Sequence, residues 1–213
     1  MTVLITGATR GIGAGLAAHY RAAGLPVIGT GRSKGVEIRL DVTQPSDHAA
    51  MAERLQGQAI DLLICNAGIY LDHGDDLEGG FAADMWAQTF AANVTGVFLT
   101  VQAMLPNLRA SAAPKIAIIS SQMGSDTTAP GGSYIYRASK AAALNLGRNL
   151  ATDLSGEIPV GIYHPGWVQT DMGSAAADIT VTESVAGLVA RFDALTHANT
   201  GCFETWDGRT HPF

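Results

Sequence analysis

Two side chains in the run Tyr-Arg-Ala-Ser-Lys, Tyr136 and Lys140, have the chemistry to exchange a proton with a bound molecule. Residues four apart on a helix share a face, so this phenol and this ammonium point at one region. A free phenol titrates near ~10, too high for easy exchange at neutral pH, and a neighbouring ammonium favours phenolate and lowers that value. Tyr134 competes for the role, but the residue four beyond it is Ala138, so it reads as a pocket wall. Such pairs also occur on ordinary helix faces, and it is the company they keep that makes this one a candidate.

Part of that company is a glycine-rich turn. The apolar run 3–5 leads into Thr6-Gly7-Ala8-Thr9-Arg10-Gly11-Ile12-Gly13, and a helical pattern follows. A glycine leaving a strand allows a tight turn. Glycines at a helix start let a diphosphate approach unpaired N–H groups and the positive end of the helix dipole. The spacing GxxxGxG differs from the GxGxxG dinucleotide fingerprint, so close packing alone also explains it. The second apolar run ends Gly29-Thr30-Gly31-Arg32, without the acid that would bind both ribose hydroxyls of NAD and repel a 2′-phosphate. Arg32 and Arg10 could instead clamp a 2′-phosphate, which favours NADP(H) over NAD(H).

The elements that must position these residues follow from the alternation of short apolar runs (3–5, 26–30, 36–42, 60–65, 115–120, 159–163, with 201–205 as a seventh candidate) and helical patterns (12–23, 84–110, 134–154, 182–195). Several runs lack polar alternation, as strands covered on both faces do. The pattern predicts an α/β fold: a Rossmann-like, doubly wound parallel sheet of about seven strands, built as a single domain over 1–213. The last helix opens with Thr182-Glu183 as its cap. The Gly/Ser/Thr-rich stretch 124–133 reads as an active-site loop.

Other functions are disfavoured. A net charge of −6 with no Lys/Arg cluster suits neither nucleic acid nor an anionic membrane, and no apolar run approaches the ~20 residues of a membrane span. The first residues do not read as a leader peptide, and Cys65 and Cys202 form no CxxC pair, so a cytoplasmic protein with free thiols is expected. The six histidines show no metal-ligand spacing, so no metal is expected; His164 could line the site or serve the core. No GxSxG elbow supports hydrolysis.

In order along the chain, TGATRGIG, Asn66-Ala67-Gly68 after the fourth run, Asn93 in the long helix, Ser121 after the fifth run, YRASK, and Pro165-Gly166 leading to Thr170 resemble the motifs of the short-chain dehydrogenase/reductase family. Ser-Ser-Gln-Met-Gly-Ser ahead of Tyr136, His164-Pro165-Gly166-Trp167-Val168, and Asp207-Gly208 near Pro212 resemble its C-factor/Sniffer-type carbonyl reductases. The resemblance implies hydride transfer between NADP(H) and a carbonyl or secondary alcohol. It implies cofactor contacts from Gly7, Thr9, Arg10, Gly11, Ile12, Gly13, Arg32, Asp41, Val42, Asn66, Ala67, Gly68, Tyr136, Lys140, Pro165, Gly166, Val168 and Thr170. Asp41 would meet the adenine amine and Lys140 the ribose hydroxyls. Ser121 would hold the carbonyl oxygen, Asn93 a water that relays protons to Lys140, and Tyr136 would pass the proton. Gln122, Met123, Tyr134 and Trp167 would wall a substrate pocket.

The interval from Ser121 to Tyr136 is two residues longer than the common pattern, which keeps Ser120 and Ser133 as alternatives; the subgroup carries the longer loop. The segment after Thr170 is short, which favours an open site and a broad-range reductase. A homodimer or homotetramer is expected by resemblance, through the helices around Asn93 and Tyr136, although Val97, Val101, Met104 and Leu108 could all face the sheet. The alternative is a cofactor-binding regulator with the same fold and little turnover.

Overall fold

Runs of Val, Leu and Ile without polar alternation need cover on both faces, and a helix-flanked parallel sheet supplies it. The computed structural model describes residues 1–213. Its strands are β1 (Val3–Ile5), β2 (Val27–Gly31), β3 (Ile38–Arg39), β4 (Leu62–Cys65), β5 (Lys115–Ile119), β6 (Val160–His164) and β7 (Phe203–Thr205). They form one seven-stranded sheet in the order β3-β2-β1-β4-β5-β6-β7, and every pairing is parallel. The helices are α1 (Gly11–Ala22), α2 (Pro45–Arg54), α3 (Ala83–Phe90), α4 (Gly96–Arg109), α5 (Tyr134–Asp153) and α6 (Val181–Ala194). Leu4, Leu63, Ile116 and Ile118 pack with α2, α4 and the end of α5 on one face. Val3, Ile5, Ile64 and Tyr163 pack with α1 and α6 on the other.

The chain runs outward from β1 to β3, then returns to place β4 on the other side of β1. Such a reversal opens a crevice beyond the carboxyl ends of the two central strands, where open α/β sheets bind ligands. Gly7 follows β1 and Asn66 follows β4, so both motifs stand at this crevice.

Four expectations need correction. The third strand is two residues long, not seven, because Asp41 ends it with a turn, its Oδ1 accepting from Thr43 N–H (3.0 Å) and hydroxyl (2.8 Å). Helix α2 was not expected; its signals are Pro45 at the start and Asp47 in the first turn, where the missing N–H and the negative charge both suit a helix opening. The helix expected over 84–110 carries a π turn at Ala91–Thr95 between α3 and α4. The cap of α6 is Thr180, not Thr182, because Glu183 stands three residues after Thr180 and closes a capping box with it.

Ala83–Arg109 is also long and apolar enough to cross a membrane by length and composition, against the reading that no run is. Here Val97, Val101, Met104 and Leu108 are buried in the core, so they face the sheet rather than a partner subunit.

Candidate active site

The glycine turn is shaped by what surrounds it. Gly7 and Gly11 adopt φ of +68° and +53°, a region that favours glycine. A Cβ on Gly13 would lie 2.2 Å from the Gly7 carbonyl oxygen. Asn66 ties the turn to β4: its Nδ2 donates to the carbonyls of Thr6 (3.0 Å) and Gly7 (3.2 Å). In return Thr6 Oγ1 accepts from the N–H of Asn66 (3.0 Å) and Ala67 (3.1 Å). The backbone is therefore held open where α1 begins, as a diphosphate needs.

From this turn a cavity of about 890 Å³ runs to Tyr136 and Lys140. That is near the upper end of small-molecule sites, ~300–1,000 Å³, and it suits an extended ligand such as a dinucleotide. Of the expected cofactor residues, Gly7, Thr9, Arg10, Gly11, Ile12, Gly13, Arg32, Asp41, Val42, Asn66, Ala67, Gly68, Tyr136, Lys140, Pro165 and Thr170 line it. Gly166 and Val168 do not. Gly166 turns the chain at φ +90° against Ile179 and Trp206, and Val168 is buried beside Ile179, so both shape the wall from behind.

Arg10 and Arg32 are both exposed and both line the cavity. Arg10 Nη1 donates to Asp171 Oδ2 (2.6 Å), joining the glycine turn to the loop after Thr170. Partial burial opposes ionisation of Asp41, but the Thr43 hydrogen bonds and the nearby Arg32 and Arg39 hold its carboxyl below the usual range.

Tyr136 and Lys140 are 7 % and 5 % exposed, and Lys140 Nζ lies 5.5 Å from the Tyr136 ring centroid. The ammonium donates to the Ile119 carbonyl (3.0 Å). The expectation of an acidified phenol is not met. Burial pushes Tyr136 up, Tyr70 adds to that, Ser121 pulls it down by hydrogen bonding, and Asp72 pushes it up again. Burial pushes Lys140 down to about 8. Desolvation disfavours the charged form of each group.

The competing serines separate by geometry. Ser120 borders the cavity, but its hydroxyl donates to the Lys140 carbonyl (3.0 Å). Ser133 Oγ is engaged by the Tyr70 hydroxyl (2.5 Å). Ser121 favours phenolate at Tyr136 and its Oγ accepts from Met123 N–H (3.1 Å), but unlike Ser120 it does not line the cavity. Asn93 sits in the π turn with its amide fully engaged. Nδ2 donates to the Ile69 carbonyl (2.9 Å) and Ser139 Oγ (3.0 Å), and Oδ1 accepts from Ile69 N–H (2.8 Å). Its amide donors therefore have no free hydrogen to give a relay water.

The expected substrate wall is corrected more heavily. A single 3₁₀ turn after Ser121 carries Gln122 and Met123 away, into a shallow depression with Arg137 and His211. Tyr134 and Trp167 are 38 % and 46 % exposed and stand outside the cavity. Met172, a further apolar candidate for that wall, does line it, its sulfur 4.0 Å from the Tyr136 hydroxyl. His164 is buried against His211 and pushed down to about 4 by burial, which places it in the core. Tyr70 and Asp72, which touch Tyr136, were missed; they lie in a loop, where no periodic pattern marks them.

Residues 1–180 match the family model described as short chain dehydrogenase. The chain is 40 % identical over 160 residues to the C-signal of Myxococcus xanthus, covering 72 % of this chain and 93 % of that protein. Among solved structures, NADPH-bound carbonyl reductase from chicken fatty liver superposes with a TM-score of 0.90 at 32 % identity, covering 100 % of this chain and 98 % of that one. Carbonyl reductase Sniffer of D. melanogaster gives 0.90 at 26 % identity, covering 100 % and 99 %.

Proposed function

The chain belongs to the short-chain dehydrogenase family, and from that premise we propose that it is an NADP(H)-dependent carbonyl reductase. The observation that carries this reading is the single cavity with an open glycine turn at one end and the Tyr136–Lys140 pair at the other. Gly7, Gly11 and Gly13 would hold the diphosphate, Arg10 and Arg32 a 2′-phosphate, and Asp41 and Val42 the adenine. Gly68, Lys140, Pro165 and Thr170 would enclose the nicotinamide half. Bound there, NADPH supplies the hydride for the carbonyl carbon.

The chain's own part is to place the carbonyl oxygen and move a proton. A phenol pushed up by burial is protonated at neutral pH, so Tyr136 is ready to donate its hydroxyl proton as charge grows on that oxygen. Ser121 Oγ donates a hydrogen bond to the same oxygen. With a pKa of about 8, Lys140 is mostly charged at neutral pH and stabilises the phenolate left behind. Asn93 orders Ile69 and Ser139 around this group. The loop after Thr170 is short and largely exposed, which supports broad acceptance of aldehydes and ketones.

Free thiols at Cys65 and Cys202 support a cytoplasmic setting, and Trp86 and Phe98, exposed on α3 and α4, support a homodimer or homotetramer. The likeness to C-signal favours a second reading, a cofactor-binding regulator. NADPH consumption over a panel of carbonyl compounds separates the two. Turnover of several compounds that disappears in Tyr136→Phe is expected. Tight NADPH binding without variant-sensitive turnover favours the regulator, and activity on one compound alone overturns the broad range.

A further inference from the structure

Helix α5 begins with an uncapped turn on its own side. The first N–H groups of a helix have no helical partner. In α5 the first N–H to find one is that of Arg137, which donates to the Ser133 carbonyl (2.9 Å). Ser133 has a residue type that commonly caps, but its φ of +48° turns it out of the capping conformation and its side chain caps nothing. The missing acceptor comes from the loop after β4. Asp72 Oδ2 accepts from Ile135 N–H (2.8 Å), and both its oxygens lie near Tyr136 N–H (3.2 and 3.3 Å).

We propose that Asp72 is a positioning residue for the reaction: its carboxylate fixes the first turn of α5 and with it the place of Tyr136. This rests on Tyr136 being the proton donor. Asp72 is 0 % exposed and no cation pairs with it. A buried unpaired carboxylate is costly, and here the two N–H groups and the positive end of the α5 dipole offset that cost. Its loop grips the site at three more points. Tyr70 stacks on the Tyr136 ring (centroids 4.3 Å apart, 23° between planes), its hydroxyl meets Ser133 Oγ, and Asn93 holds Ile69. Residues 69–72 thus join the π turn to the helix that carries the tyrosine.

The groups facing the phenol are Lys140 on α5, Tyr70 and Asp72 from this loop, Ser121 beyond β5, and Met172 beyond β6.

Asp72→Asn keeps the shape and one acceptor oxygen, and Asp72→Ala keeps neither. In Asp72→Asn, kcat for carbonyl reduction falls about tenfold with little change in KM. In Asp72→Ala the fall is on the order of a hundredfold. Amide exchange at Ile135 and Tyr136 quickens about tenfold or more in both variants, a readout that needs no turnover. A kcat unchanged in both variants, or a KM that rises as much as kcat falls, overturns the proposal. Unchanged exchange at these two amides does the same. If the unaltered protein reduces no carbonyl, the reading of Tyr136 fails, while the exchange result still decides whether Asp72 holds its helix turn.

Discussion

Replacing Lys140 with methionine is expected to abolish turnover and to make the protein more stable. Lys140 is 5 % exposed, and its pKa falls from 10.5 to about 8 because burial disfavours the ammonium. That fall corresponds to about 3 kcal/mol that the folded state forfeits when the lysine is charged. Methionine, unbranched and apolar, fills the same space without that cost. It also leaves the Ile119 carbonyl without its donor, which takes back about 1 kcal/mol. The net gain is ~2 kcal/mol near pH 7, or roughly 4–8 °C in Tm for a chain of this size.

The gain has a pH signature. The lysine's folded pKa lies below its unfolded value, so the unfolded chain binds more protons between about 8 and 10.5. The lysine therefore costs its full amount below about pH 8, progressively less as pH rises through that window, and nothing above it. Urea unfolding of cofactor-free Lys140→Met and its parent at pH 7 and pH 10 reads this directly. The advantage of the variant is present at pH 7 and nearly gone at pH 10. A variant no more stable than the parent at pH 7, or a gap that does not change with pH, refutes a buried ammonium at this position.

Tyr136→Phe loses about 10²–10⁴-fold in kcat for carbonyl reduction while its NADPH dissociation constant, read by fluorescence titration, changes little. Gly13→Ala puts a Cβ 2.2 Å from the Gly7 oxygen, so the turn must shift; NADPH binding measured by calorimetry is lost and the unfolding midpoint drops. Asp171→Asn frees Arg10 from an ion pair whose side chains are 65 % and 76 % exposed. Such pairs are worth about 0–1 kcal/mol, so NADPH binds up to about fivefold tighter and NADH is unaffected; equal tightening of both would show that Arg10 does not read the 2′-phosphate.

What could be read from residue order and what could not divide along a physical line. Apolar runs such as Leu62–Cys65 and the glycine turn announce themselves locally, because burial on both faces and unusual φ each restrict residue type at their own position. The i, i+4 spacing likewise set Tyr136 and Lys140 side by side. Features that depend on distant partners were not readable. Gln122 and Met123 follow Ser121 in sequence, yet one 3₁₀ turn sends them to another surface. Both amide hydrogens of Asn93 are given to Ile69 and Ser139, a pairing that exists only once the loop after β4 has folded back. Asp72 lies sixty-three residues before the helix N–H it serves, and nothing near it in the chain marks it as a cap.

The sign of the tyrosine's shift belongs to the same class and bears on direction. Spacing alone predicts attraction between an ammonium and a phenolate and hence an acidified phenol. The folded site adds the burial of the phenol and the opposing fields of Tyr70 and Asp72, and these together exceed the pull of Ser121. A phenol held protonated beside a lysine of pKa about 8 is matched to giving a proton near neutral pH. To take one from an alcohol it must first ionise, which favours high pH or a positive charge brought in by oxidised cofactor. Carbonyl reduction should therefore be insensitive to pH through the neutral range, and alcohol oxidation should rise steeply with pH over the same range. Parallel pH profiles of kcat for the two directions test this, and an oxidation rate already level at pH 7 would show that bound cofactor overrides the burial.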